Sequence, residues 1–519
     1  MPDQNNQTKP MNNEVFITDA EKIDPGIDSW SPLTVLRDVL EQLEQRNISY
    51  CHWKSNYHLE YALTGVEDVD VLVASADFPP FVQILLAHGF KQADSVSNRM
   101  QPGVFHFLGI DGETGTLINV HAYTRILTGD HLLKSWALPL ETLLLSETEQ
   151  VNGMRVTTRS SELIVFVFRN MIKQTTLLDL YLSARSTHAT AEEFQWLMSG
   201  LDIDDSLQKL ERHFPEITAA DFTQAIELLA HGGSLYDRLR LGQRFKRKLK
   251  NYRRYDSLAQ SVLTVVAAGR MAANRLGRKQ KHMHFLTGGK IIALVGPQAT
   301  GKSTLAAALK SWLGQELAVR TIHAGKPPAT WLTFLPNVLI PLLKSMLPGY
   351  SSVKIEKESE DENFSDYPLI FLVRKIMLAH ERYRLLRTVY QQSRNGKLII
   401  SDRYPSDVVG AIDGATFRDE AIKRERSFVK RFLMQWERSI YRKICPPDLV
   451  LQLTVSVEKA VMRNRTRDKK GGQTTEYVRT RHSMLLTPEF YHSPVIQLST
   501  DRDFEETLLE VKHEVWKHL

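Results

Sequence analysis

The chain has 519 residues, more than one hydrophobic core ordinarily organises, so two domains and a connector are expected. An apolar fraction of 42% with 24% charged residues excludes a disordered or fibrous chain, and a net charge of +6 is too mild to define a nucleic-acid binder by itself. Two cysteines, Cys51 and Cys445, exclude a disulfide scaffold and suit a reducing cytosol. The polar start MPDQNNQTKPMNNEVF lacks the apolar stretch of a signal peptide. The longest apolar patch, NVLIPLLKSML, is broken by Pro341 and Lys344, so no transmembrane segment and a cytoplasmic location are expected.

Residues 1–30, rich in Asn, Gln and Asp, read as a disordered tail. Residues 31–235 mix strand and helix patterns as an α+β domain. Within them, YCHWKSNYHLEYALTGVEDVDVLVAS sets Lys54-Ser55 ahead of Asp68-Val69-Asp70, and VDVLV alternates as a strand. Side chains two apart on a strand share a face, so Asp68 and Asp70 point the same way and form a candidate divalent-metal site. TLINVHAYTRIL reads as a second strand, with Asn119 and His121 on one face.

Residues 236–286 form a basic connector with helical periodicity. Its run Arg238 to Arg254 reads as a solvated helix face; nucleic acid or an anionic membrane surface is the alternative partner. Tyr252 and Tyr255 are too few for a base-stacking platform.

Residues 287–519 alternate strands and helices. IIALVGPQATGKSTLAAAL opens this part with a β-branched apolar strand, Ile291 to Val295, and then Gly296, four residues, and Gly301-Lys302-Ser303. That is the spacing of a phosphate-binding loop, in which glycines let backbone N–H groups converge on a phosphate at a helix N-terminus. Gly296, Thr300, Gly301, Lys302, Ser303 and Thr304 are the expected ATP contacts. Lys302 is placed to reach the β/γ-phosphates and Ser303 to ligate Mg²⁺.

Downstream, GKLIISDRYPSD gives a strand ending in Asp402-Arg403-Tyr404, with Asp402 placed for Mg²⁺ or for proton transfer. PPDLVLQLTVSVEKAVMRNRTRDKK supplies another buried strand, Leu449 to Leu453, and a helix from about Val457 that runs into a segment carrying Arg463, Arg465, Arg467, Lys469 and Lys470. Such clustered cations are suited to neutralise charge in a phosphoryl-transfer transition state.

Together these motifs, over residues 287–519, resemble the thymidylate kinase family of nucleoside monophosphate kinases. The resemblance implies a doubly wound parallel α/β sheet and ATP- and Mg²⁺-dependent phosphoryl transfer. It sets Arg403 on the acceptor phosphate, and Arg382, from LAHERYRL, towards the acceptor. It makes Arg463, Arg465 and Arg467 a lid. HAGKPP stands where the family shows an Arg-Glu-Pro-Gly type loop, and SDVVGAIDGAT where it shows Ser-x-x-Ala-Tyr-Gln. Both departures fall on the acceptor side, so a nucleoside monophosphate or another small metabolite such as a sugar is expected there. An insertion, about Trp331 to Tyr367, is expected beside that pocket.

The Asp68-Val69-Asp70 strand and INVHAY, within residues 45–180, resemble the minimal nucleotidyltransferase superfamily. Asn119 stands where many members place a third carboxylate, which predicts weak metal affinity and slow nucleotidyl transfer. The contrasting reading of the whole chain is a nucleotide-gated scaffold that binds ATP without a dedicated acceptor.

Overall fold

The computed structural model describes residues 30–95, 102–129, 134–173, 187–232, 234–276, 282–328, 367–406, 408–409, 413–466, 474–483, 490 and 493–519. The tail, nearly all of the 331–367 insertion, Arg467, Lys469 and Lys470 lie outside them.

The first sheet has eight strands in the order β10-β3-β4-β5-β2-β1-β9-β8. These are β1 (Tyr50–His52), β2 (Val69–Val73), β3 (Lys91–Ser95), β4 (Val104–Ile110), β5 (Leu117–Tyr123), β8 (Thr148–Val151), β9 (Met154–Thr157) and β10 (Met283–Phe285), while β6 (Leu127–Thr128) and β7 (Trp136–Ala137) pair separately. β2 and β5 are parallel, with Asp70 opposite His121, so the two segments singled out in the sequence are neighbours. Helices Thr34–Gln45 and Phe78–Ala87 bury Leu36, Leu40, Phe81 and Ile84 in one cluster with β2 and β5. A second cluster forms around helix Arg159–Lys173, whose Phe168 packs edge-on against Phe214 and Phe245 from later helices. In helix Leu235–Lys248 some of the basic charge is spent internally: Arg244 and Lys248 both pair with Asp221.

The second sheet is entirely parallel, in the order β12-β13-β11-β14-β15, formed by β11 (Ile291–Val295), β12 (Val319–Ile322), β13 (Leu398–Asp402), β14 (Leu449–Thr454) and β15 (Val495–Ser499). Every residue of β11 is buried, as a central strand covered on both faces requires. After β12 and β13 the chain crosses β11 to form β14. The order therefore reverses beside β11, and the crevice beyond the strands' C-terminal ends is where ligands bind in open α/β sheets.

The sheets are joined by shared packing. β10, which lies inside the stretch expected to be connector, pairs with the edge of β3, and its Met283 N–H donates to Glu316 O of the second domain at 2.8 Å. Ala93, Leu108, Leu117 and Phe285 share one apolar cluster with Leu309, Trp312, Val511 and Trp516. Trp516, in helix Phe504–His518, donates its indole N–H to Gly89 O at 2.9 Å. Among the described residues no helix is long and apolar enough to cross a membrane.

Candidate functional site

The phosphate-loop sequence folds as a strand, a tight loop and a helix, Lys302–Leu313. Gly296 adopts φ +140° with its α-carbon against β14, where a Cβ would stand 2.3 Å from Leu453 O. Only glycine fits both conditions. Ala299 and Gly301 also have positive φ, which curls the loop over the helix N-terminus. Lys302 is buried; its ammonium donates to Gly296 O at 3.0 Å, Pro297 O at 2.5 Å and Thr300 Oγ1 at 3.2 Å. Ser303 and Thr304 are exposed on the first turn, whose N–H groups have no partner within the helix. Gly296, Thr300, Gly301, Lys302, Ser303 and Thr304 thus lie in the loop and first turn at this helix N-terminus, where the helix dipole is positive.

The parallel pairing of β11 and β13 sets Leu294 opposite Asp402. Asp402 consequently ends its strand beside the loop, and Ser303 Oγ donates to Asp402 Oδ2 at 2.5 Å. A hydroxyl and a carboxylate converging at a phosphate loop are hard oxygen donors, a set that fits Mg²⁺. His323, from HAGKPP, donates its Nδ1–H to Asp402 O at 3.0 Å.

Arg403 comes next in the chain with φ +84°, an uncommon conformation for a side chain of this size. Its guanidinium lies 3.4 Å from Asp413 Oδ2 and is 38% exposed. Gly325 makes room for it, since a Cβ there would meet Arg403 Cδ at 2.6 Å. Both departures from the family pattern therefore meet at Arg403: HAGKPP brings Gly325 and SDVVGAIDGAT brings Asp413.

Arg382 faces the protein's own groups. It is 5% exposed on helix Leu369–Arg394, and its donors are taken by Asp413 Oδ1 (2.6 Å), Asp413 O (3.0 Å), Tyr441 Oη (2.7 Å) and Ala324 O (3.1 Å). It is built into the wall and holds Asp413 towards Arg403. Arg463 is likewise committed, donating to Thr500 Oγ1 at 3.1 Å and Thr500 O at 2.7 Å. It anchors helix Val457–Arg465 to the end of β15, while Arg465 is exposed at the helix end. The helix nevertheless lies on the loop: Ala460 and Val461 share an apolar cluster with Ala299 and with Val478 of helix Thr475–Ser483, whose His482 donates to Gln298 O at 2.8 Å.

No protein-family model matches the chain, and no curated protein matches it. Among solved structures it is similar to thymidylate kinase from Candida albicans at 17% identity, covering 44% of this chain and 90% of that one, with a TM-score of 0.24. At that level the likeness fixes neither fold detail nor function.

The first domain brings Asp68, Asp70, Asn119 and His121 together, as the strand register predicts. His121 Nε2 lies 3.3 Å from Asp68 Oδ2, and its Nδ1 lies 3.5 Å from Asp70 Oδ1. Lys54 Nζ pairs with Asp70 Oδ2 at 2.9 Å, and Tyr123 Oη donates to Asp70 Oδ1 at 2.9 Å. Burial alone raises the Asp70 carboxyl, but the Lys54 ammonium and then His121 outweigh it and hold the group far below the usual carboxylate range. A cleft of about 320 Å³ opens beside Lys54, Ser55, His58, Asp68 and Asp70. Among the described residues no group of three or more His, Cys, Asp or Glu side chains is arranged to hold a metal ion.

Glu316 joins this site from the second domain. It sits just past the phosphate-loop helix and accepts from Asn119 Nδ2 at 3.2 Å. Burial first, and the Asp68 charge second, push its carboxyl up to about 7. Asn119 Oδ1 is buried without a partner. No local motif signals Glu316 or Tyr123; Asp413 is signalled only by the Asp-Gly turn pair after Ile412.

Proposed function

We propose that the chain is an ATP- and Mg²⁺-dependent phosphotransferase. The observation that carries this is the 2.5 Å contact between Ser303 Oγ and Asp402 Oδ2, across the mouth of a positive-φ loop that also holds the Lys302 ammonium. In this reading the loop N–H groups would hold the triphosphate, the Lys302 ammonium would exchange its contacts with the loop's own oxygens for the β/γ-phosphates, and Ser303 and Asp402 would hold Mg²⁺, which would supply charge neutralisation at the transferring group. Arg403, kept in place by Asp413, receives the acceptor, a nucleoside monophosphate or another small phosphorylated or hydroxylated metabolite such as a sugar. Arg465 and Arg467 would act as the lid, with Arg463 anchoring helix Val457–Arg465 through Thr500. The first domain is nucleotidyltransferase-like and binds a nucleotide or phosphosugar.

The test is incubation of the purified chain with ATP, Mg²⁺ and a pool of small metabolites, with mass spectrometry for compounds that gain a phosphoryl group. An acceptor phosphorylated by the wild type but not by Lys302→Ala supports the reading. Tight ATP binding without phosphorylation of any compound would favour the nucleotide-gated scaffold.

A further inference from the structure

An Asp-x-Asp strand in a nucleotidyltransferase-like domain suggests a divalent cation between the carboxylates, and such a cation needs free carboxylate oxygens. Around Asp70 both oxygens already have partners. Its Oδ2 is taken by Lys54 at 2.9 Å and its Oδ1 by the Tyr123 hydroxyl at 2.9 Å, while Asp68 Oδ2 faces His121 at 3.3 Å. Lys54 is held where it is: its ammonium lies 5.3 Å from the Trp53 ring centroid and 5.6 Å from that of Tyr123. The third position carries the amide of Asn119, whose Nδ2 faces His121 and Glu316.

We propose that Lys54 is the resident cation of this site, standing where a divalent metal would sit, so that the Asp68–Asp70 pair takes up no metal and the first domain binds its ligand metal-free. The ammonium neutralises Asp70 and is the positive group that the cleft offers to an anionic oxygen. With Ser55 and His58 lining the same cleft and Asp68 there as a hydroxyl acceptor, the chemistry suits a phosphorylated, hydroxyl-bearing small molecule. A lysine also replaces the metal's coordination geometry with a single charge on a flexible stem, which holds a ligand but does not align a triphosphate for attack.

The inference rests on the nucleotidyltransferase-like reading of the first domain and is independent of the phosphoryl transfer assigned to the second. The test uses the full chain without nucleotide, with Mn²⁺ alone as the probe, counted by its electron paramagnetic resonance signal. Four proteins are compared: wild type, Asp70→Asn, Lys54→Met and Lys54→Met with Asp70→Asn. Any Mn²⁺ held at Ser303 and Asp402 is common to all four. Asp70→Asn is expected to leave wild-type binding unchanged. Lys54→Met is expected to gain a further Mn²⁺, bound roughly tenfold or more tightly than any first-domain Mn²⁺ in the wild type, and the double variant to lose it. Lys54→Gln serves in place of Lys54→Met if circular dichroism shows the latter unfolded. A wild-type Mn²⁺ lost in Asp70→Asn overturns the inference, and so does a folded Lys54 variant that gains none.

Pyrophosphate release from ATP, measured in the same samples, separates this inference from the reading beneath it. Mn²⁺-dependent release by the wild type that Asp70→Asn abolishes would uphold a nucleotidyltransferase and overturn the resident lysine. No release, together with the Mn²⁺ gained by Lys54→Met, would support the resident lysine and end the catalytic reading of the domain.

Discussion

Arg382→Met tests whether this arginine is a wall residue or an acceptor ligand. Its four hydrogen bonds end on Asp413, Tyr441 and Ala324, and the Arg382 and Asp413 side chains are 6% and 8% exposed. Removing the guanidinium leaves the buried Asp413 carboxylate only its longer 3.4 Å contact with Arg403, and breaking a buried pair typically destabilises by about 3–5 kcal/mol, the lower end applying where one partner remains. In a domain of this size each kcal/mol lowers the melting temperature by about 2–4 °C, so a drop of roughly 6–20 °C is expected for the second domain. Asp413→Asn removes the stranded charge and tolerates the positive φ of that position, for which Asn is well suited. The double variant should therefore recover about 1–3 kcal/mol relative to the sum of the singles. Differential scanning fluorimetry needs no acceptor and reads all four proteins. A single variant that melts with the wild type, or a double variant that merely adds the two losses, would refute the clamp.

Four further outcomes are expected. Lys302→Ala should lower kcat by about 10²–10³ with circular dichroism unchanged, the loss typical of one preorganised donor at a transition-state oxyanion. Asp402→Asn should lower mainly kcat and raise the Mg²⁺ requirement, whereas Arg403→Ala should also raise the acceptor KM; equal, small losses would make this strand end structural. Gly325→Ala places a methyl group 2.6 Å from Arg403 Cδ, so an acceptor KM that rises while ATP binding holds is expected, and an unchanged KM would free Arg403 from the acceptor role. Burial pushes Glu437 up to about 7 from 4.5, so the folded state binds the extra proton between those values; its contribution to stability is full below pH 4.5 and is lost as pH rises to about 7. Glu437→Gln should flatten that fall, and wild type and variant losing stability in parallel from pH 4.5 to 7 would contradict it.

The elements that position the phosphate loop were legible because each is a continuous apolar run ended by a glycine or a charge. β11 spans the predicted Ile291 to Val295, and β13 and β14 begin at the predicted Leu398 and Leu449. That Asp68 and Asp70 share one face, and Asn119 and His121 another, was legible for a similar reason, strand periodicity; that the two pairs meet follows from the pairing of β2 with β5, which no local pattern shows. Sequence could not show what each arginine faces. Arg382 and Arg463 lie in helices whose periodicity marks them as ordinary positions, and their partners Asp413 and Thr500 are 31 and 37 residues away. Glu316 and Asn119, 197 residues apart, meet where β10 returns to the first sheet and the Met283 N–H donates to Glu316 O. Contacts that depend on tertiary return leave no local pattern.

That return of the chain has a consequence for biosynthesis. Until β10 emerges, β3 presents an unpaired edge, and Ala93, Leu108 and Leu117 lack the apolar partners that cover them in the finished protein. About 190 residues separate β3 from β10, roughly 10–40 s of translation at ordinary rates. The indole of Trp516 reaches Gly89 from 427 residues further along. The first sheet thus waits on the ribosome, half finished, for a strand and a helix encoded much later in the chain. A fragment stopped near residue 235 would keep that sticky edge permanently and should precipitate where the whole chain stays in solution.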